Sequence, residues 1–461
     1  SSVLVDTDAH NKALDADAAL QDLGSDLIGE AYVTATLTVW DEDPRLADEK
    51  PRLKVAAVYT ELRHRSHAYN FLMNMLGRCL FRGEWRDLGL DVVSFYADQF
   101  PKNDMTREVS QRFKIPIYKT IDEALCVGGK ELACDAVLLI GEHGDYPSNE
   151  LGQHMYPRKE FFDQIVAVYR KSGRAAPMFN DKHLSYRWDW SKEMYDTSRQ
   201  MGFALMAGSS VPLAQRVPEF ELEPGAEIEE AVSIHGGPLE SYDFHALEVL
   251  QSIVEARRGG ETGVSRLQVL FGDDLMKAAK QGRWSYDLYE AAMRAEAEHR
   301  DDTPANEKPR ELQPGHGILL EYKDGFRAAA IQAGSSSVRW NFACRLKGEQ
   351  QPRATTFYPG PWGNRNLFRA LSHAIQHLFL SGKSPYPVER TLLVSGILDA
   401  AMHSHHEGGV VKETPELDFA YQPMSFLAMR EMGASWKILT KDTPKPPRFE
   451  PGDLDTLPNL K

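Results

Sequence analysis

From residue 53 to 207 short apolar segments alternate with amphipathic ones, and this alternation constrains the fold more than any other feature of the chain. Residues 53–60, 90–98, 115–118, 134–140, 176–180 and 204–207 read as strands. Between them, helical spacing is expected over 68–81, 105–113, 121–126, 161–172 and 191–201. Strand and helix in strict alternation specify a parallel sheet wrapped by helices. The first strand runs into Glu61-Leu62-Arg63-His64-Arg65-Ser66-His67, with no glycine where a phosphate-cradling turn would need one.

Beyond residue 225 the pattern changes. Segments 227–235, 317–321, 327–333, 338–346 and 354–358 predict a second, largely antiparallel sheet, with helices near 242, over 275–299 and over 366–380. The expected class is therefore α/β, a Rossmann-like parallel sheet followed by an α/β domain with a large, mainly antiparallel open sheet. The expected boundaries are a leader at 1–50, a first domain at 51–224, a second at 225–425 and an extension at 426–461.

The longest apolar runs, such as 136–140, are strand-sized and far below the roughly 20 residues of a membrane helix. With no basic segment leading into an apolar core at the N-terminus, a cytoplasmic location is the expectation. Cys79, Cys126, Cys134 and Cys344 have no C-x-x-C spacing, which argues against a zinc knuckle or a disulfide framework. The net charge is −14, and residues 1–50 alone carry 12 acids against 3 bases. Such a balance disfavours a nucleic-acid partner.

Candidate chemistry collects at strand ends, where ligands of open α/β sheets bind. Glu142, His143 and Asp145 follow the strand at 134–140, with residue types suited to general acid/base work or to holding hydroxyls. Asp181, Lys182 and His183 follow the strand at 176–180, and a lysine there is placed to exchange a proton with a substrate hydroxyl. Gly236-Gly237 leads into a helix whose start carries Asp243, a candidate cap, and His245, a candidate for facing substrate. His403-Ser404-His405-His406-Glu407 reads as a polar helix end, and no metal ligand is assigned. Trp284, Trp340 and Trp362 read as core residues before sugar-stacking ones.

These landmarks, in this order over about 53–409, resemble the Gfo/Idh/MocA family of glucose–fructose oxidoreductase and inositol dehydrogenase relatives. Asp181-Lys182-His183 sits where the family carries Glu-Lys-Pro. Gly236-Gly237 with His245 matches its G-G-x-x-x-D-x-x-x-H stretch, with Ser241 in place of the aspartate. The resemblance implies an oxidoreductase of carbohydrates or cyclitols, NAD or NADP as cofactor, and a homo-oligomer formed through the second sheet. It makes Lys182 and His245 catalytic, helped by His143 and Asp145. Asp98 would contact the cofactor ribose, and Arg63, Arg65 and Ser66 its phosphates. Glu142, Asp181, His183 and Asp243 would bind substrate, Asp243 also standing in for the missing aspartate. Without the glycines, two rivals stand beside this reading. One is a redox-silent lyase, isomerase or hydrolase using Lys182 and His245, with metal assistance from His143, Asp145, His154 or His183 as a variant. The other is a noncatalytic sugar-binding protein. Separately, residues 1–50 resemble an internal piece of the conjugative-transfer ATPases of type IV secretion, without a Walker motif, and are read as a fused leader.

Overall fold

Helices cover both faces of the central strands, which is why residues 55–59 and 136–140 run apolar without a break. In the computed structural model the first half of the chain runs β1 (Leu53–Tyr59), α1 (His67–Met75), β2 (Cys79–Phe81), β3 (Glu84–Arg86), β4 (Leu90–Ala97), α2 (Thr106–Phe113) and β5 (Ile117–Tyr118). It continues through α3 (Ile121–Leu125), β6 (Ala136–Ile140), α4 (Arg158–Ser172), β7 (Met178–Asp181), α5 (Trp188–Met201) and β8 (Leu205–Gly208). Residues 52–304 and 306–452 are described; the expected leader elements at 9–27 and 31–40 lie outside them.

Six of these strands form one all-parallel sheet in the order β5-β4-β1-β6-β7-β8. The chain works outward from β1 in both directions, so the strand order reverses between β1 and β6. A crevice opens beyond the carboxyl ends of strands at such a point. The helix expected over 68–81 stops at Met75, and Cys79–Phe81 instead pairs with Glu84–Arg86 around Gly83, whose φ of +81° suits the tight turn.

The second half runs β9 (Gln215–Val217), β10 (Ile228–His235), α6 (Asp243–Val254), β11 (Val264–Phe271), α7 (Gly272–Lys280), α8 (Tyr286–His299), β12 (Pro314–Tyr322) and β13 (Arg327–Ala333). Then come β14 (Trp340–Leu346), β15 (Arg353–Tyr358), α9 (Asn364–Ser381), α10 (Val388–His406) and β16 (Lys412–Glu413). Their sheet has the order β16-β11-β12-β13-β10-β14-β15-β9, antiparallel except between β10 and β13. The expected helix 275–299 is two helices, separated by a turn through Gly282 (φ +69°). Leu275, Leu288 and Ala292 of this pair join Val232, Ile234 and Ala343 in a core on one face of the sheet, closing part of that face within the chain. The edge strand β9 (Gln215–Val217) of this sheet lies before residue 225, within the segment expected to be the first domain.

The C-terminal segment is tied down as far as it is described. Phe449, 1% exposed, wedges its ring between Tyr69 and Phe113, while the Tyr69 hydroxyl donates to the Arg448 carbonyl at 2.8 Å. Burying one such phenylalanine contributes about 1.5–3 kcal/mol, enough to hold the strap on α1 and α2.

Candidate functional site

A cluster of charged side chains lies at the carboxyl ends of β6 and β7, built from several separate elements. Glu142, just beyond β6, pairs with the Arg158 guanidinium from the first turn of α4 and with the Lys182 ammonium 3.4 Å away, just beyond β7. All three are under 10% exposed. Burial alone would raise the Glu142 carboxyl, but the two cations outweigh it and hold it well below the ordinary range. Arg158 also donates from Nε to the Asp181 carbonyl at 3.2 Å and lies over the Tyr156 ring. Asp181 itself meets Nδ1 of His67, on the first turn of α1, at 2.5 Å.

Neutral imidazoles surround these pairs. Burial pushes His143 down to about 3 and, with Arg158 beside it, pushes His183 well below its usual range. His143 Nε2 and His183 Nδ1 are buried without a hydrogen-bond partner. His245, likewise lowered by burial and then by the Lys182 charge, holds the Ser209 hydroxyl to its Nδ1 at 2.6 Å. Glu240, from the turn before α6, lies 4.0 Å from His183, and burial with the Glu142 charge raises its carboxyl to about 7. Of the seven non-glycine residues with positive φ among those described, His143 (+73°), Lys182 (+68°) and Glu240 (+70°) belong to this cluster. Each such conformation costs about 1–3 kcal/mol and persists where surroundings enforce it, commonly at functional sites.

The structure thus brings Glu142, His143, Asp181, Lys182, His183 and His245 into one region. It also recruits Arg158, His67 and Glu240, which the sequence reading left without a role. Asp145 is exposed, its backbone bonded in both directions to the Gln99 side chain. His154 is exposed and paired with Ser148. Asp243 corrects an expectation: it neither orients His245 nor faces the cluster. Its fully buried carboxylate accepts from His235 and His316 and from the Glu240 amide, because the first turn of α6 aims positions 243 and 245 at different neighbours.

The turn between β1 and α1 is where a dinucleotide's pyrophosphate would sit. The Ser66 hydroxyl is buried, taking the Arg63 and Tyr69 amides and so capping α1. Arg63 bonds Glu61 at 2.5 Å and reaches His143 Nδ1 at 3.3 Å, and Arg65 is exposed. Asp98 is exposed beyond β4 as a ribose acceptor would be, with its two oxygens taking the hydroxyls of Tyr96 and Tyr146. The turn therefore does not fit a pyrophosphate held by backbone amides: it has side chains where hydrogen atoms are required, and the Arg63 guanidinium is already paired with the buried Glu61 carboxylate.

No protein-family model and no curated protein matches the chain. Among solved structures it is similar to GenD2 from gentamicin A biosynthesis in complex with NAD, at 12% identity and a TM-score of 0.51, over 79% of this chain and 97% of that one. It is similar also to myo-inositol dehydrogenase from Lactobacillus casei in complex with NAD(H) and myo-inositol, at 11% identity and a TM-score of 0.51, over 81% and 99%. At such identities likeness speaks for architecture. This chain has the two-domain fold of the Gfo/Idh/MocA oxidoreductases.

Proposed function

We propose that the protein is an enzyme acting on a carbohydrate or cyclitol-type polyol at this cluster, nominally an oxidoreductase. The observation that carries the reading is the pairing of saturated charges with unsaturated neutral imidazoles. Arg158 and Lys182 already have Glu142 as counter-ion, so an anion gains little there. His143 and His183 each keep one buried ring nitrogen free, and hydroxyl groups, which both donate and accept, suit neutral imidazole.

In this reading Lys182, positioned by Glu142, exchanges a proton with a substrate hydroxyl. His245 is the second acid/base group, neutral at pH 7 and oriented by Ser209. NAD or NADP as hydride carrier is supported by the shared fold, whose solved relatives include NAD complexes, and by the position of Asp98. A second reading, proton transfer without redox chemistry, is favoured by the Glu61–Arg63 pair in the phosphate turn. Titration with NADH and NADPH, followed by nicotinamide fluorescence and calorimetry, separates the two. Micromolar binding that a polyol strengthens supports the dehydrogenase, and no binding near millimolar cofactor supports the redox-silent enzyme. Neither cofactor binding nor polyol binding would refute both.

A further inference from the structure

Adjoining the charged cluster through the Glu240 amide, His235 ends β10, Asp243 opens α6 and His316 stands near the start of β12. Folding brings their ligand atoms together. Asp243 Oδ1 lies 3.0 Å from Nε2 of His235 and 3.0 Å from Nε2 of His316, and all three atoms fall within 4.8 Å of one another. Their side chains are 0%, 0% and 7% exposed. We propose that His235, Asp243 and His316 form a binding site for one divalent transition-metal ion.

Two imidazoles and one carboxylate are the donor set of facial metal triads, which leave further positions open. Adjacent ligands about 2.1 Å from an ion, at right angles to one another, lie about 3.0 Å apart, the separation of Asp243 Oδ1 from each imidazole nitrogen, and the third edge is within 4.8 Å. The carboxylate is also held in place: the Glu240 amide donates to Oδ2 at 2.9 Å, while Oδ1 faces both rings and His316 Nε2 lies 3.1 Å from Oδ2 as well, and such outer-shell groups orient metal ligands. Among the described residues the only possible ion-pair partners of Asp243 are these two imidazoles, so with both rings neutral, as metal ligands are, a divalent ion supplies the positive charge that the buried carboxylate needs. The His316 ring rests on Phe271, which is 42% exposed, so the triad lies one side chain below the surface.

The competing arrangement is a metal-free network in which both rings donate to Asp243. The Gly237 amide stands 3.4 Å from His235 Nδ1. Metal at Nε2 puts a proton on Nδ1, so this amide must then turn aside. The inference is independent of the polyol reading and survives its failure.

Full-length protein without a histidine tag would be stripped with chelator and titrated with Co(II), Mn(II) and Zn(II), reading calorimetry and the visible absorption of Co(II). The site predicts one equivalent bound, and at least a tenfold weakening in His316→Gln and in Asp243→Asn. No binding by the wild type at micromolar metal, or equal binding by folded variants, overturns the proposal. Should the variants fail to fold, anomalous diffraction from wild-type crystals soaked in Co(II) decides: a peak among the three side chains supports the site, and its absence or a peak elsewhere overturns it.

Discussion

Replacing Glu142 with glutamine keeps the side-chain shape and removes the charge, so it measures what the carboxylate does for its two buried cations. Arg158 retains the Asp181 carbonyl and the Tyr156 ring, whereas Lys182 keeps no ion-pair partner among the described residues. Breaking a buried pair from one side costs about 3–5 kcal/mol. For a urea dependence of about 3 kcal/mol per molar, the unfolding midpoint falls by roughly 1–1.7 M. Glu142 is held below its unfolded-state pKa, so its contribution is complete above the ordinary carboxylate range and lost as pH falls through the folded value. The gap between wild type and Glu142→Gln is thus full at pH 7, still present near pH 4, and closes only below. Urea unfolding followed by near-ultraviolet circular dichroism across this range is the assay. A gap under about 1 kcal/mol at neutral pH, the range of exposed ion pairs, or one that closes by pH 5 to 6, refutes the buried-pair account.

Once a substrate is in hand, Lys182→Ala lowers kcat by about 10²–10⁴ with folding intact by circular dichroism, the range for loss of a general acid or base. Glu240 behaves in the opposite sense to Glu142: its carboxyl is raised to about 7, so the folded state holds an extra proton and stability declines as pH rises from the ordinary carboxylate range toward 7. Glu240→Gln removes that decline, worth on the order of 3 kcal/mol, from stability curves measured against wild type. All four cysteines are buried, and burial raises the Cys79, Cys134 and Cys344 thiols to about 12. A chromogenic disulfide reagent therefore labels none of them in native protein and all four after unfolding.

The parallel sheet was legible because its strands are apolar on both faces and its helices carry one polar side, so β1, β4, β6 and β7 appear at their expected places. What escaped depended on contacts distant in sequence. Strand β11 was not legible because its buried positions, Val264, Leu267 and Val269, are spaced three and then two, the irregularity where its register with β12 shifts, so no period of two stands out. Lys182 and His183 could be picked out as polar residues just past an apolar strand. Arg158 could not: Pro157-Arg158 reads as a solvated helix start, and only the fold sets it under Glu142. His67 was hidden in a run of cationic loop residues, and its signal is the α1 cap at Ser66, which places position 67 on the first turn. Asp243 was misassigned because helical position and sequence spacing leave its neighbours His235 and His316, from two strands of another sheet, out of view.

The most direct test of the central claim is a crystal structure of the protein equilibrated with the cyclitol or sugar that most raises its melting temperature. The expected result is a polyol whose hydroxyls lie within hydrogen-bond distance of Lys182 Nζ and of the free nitrogens of His143 and His183. A polyol bound away from these three residues, with the Glu142–Lys182 cluster untouched, would contradict it.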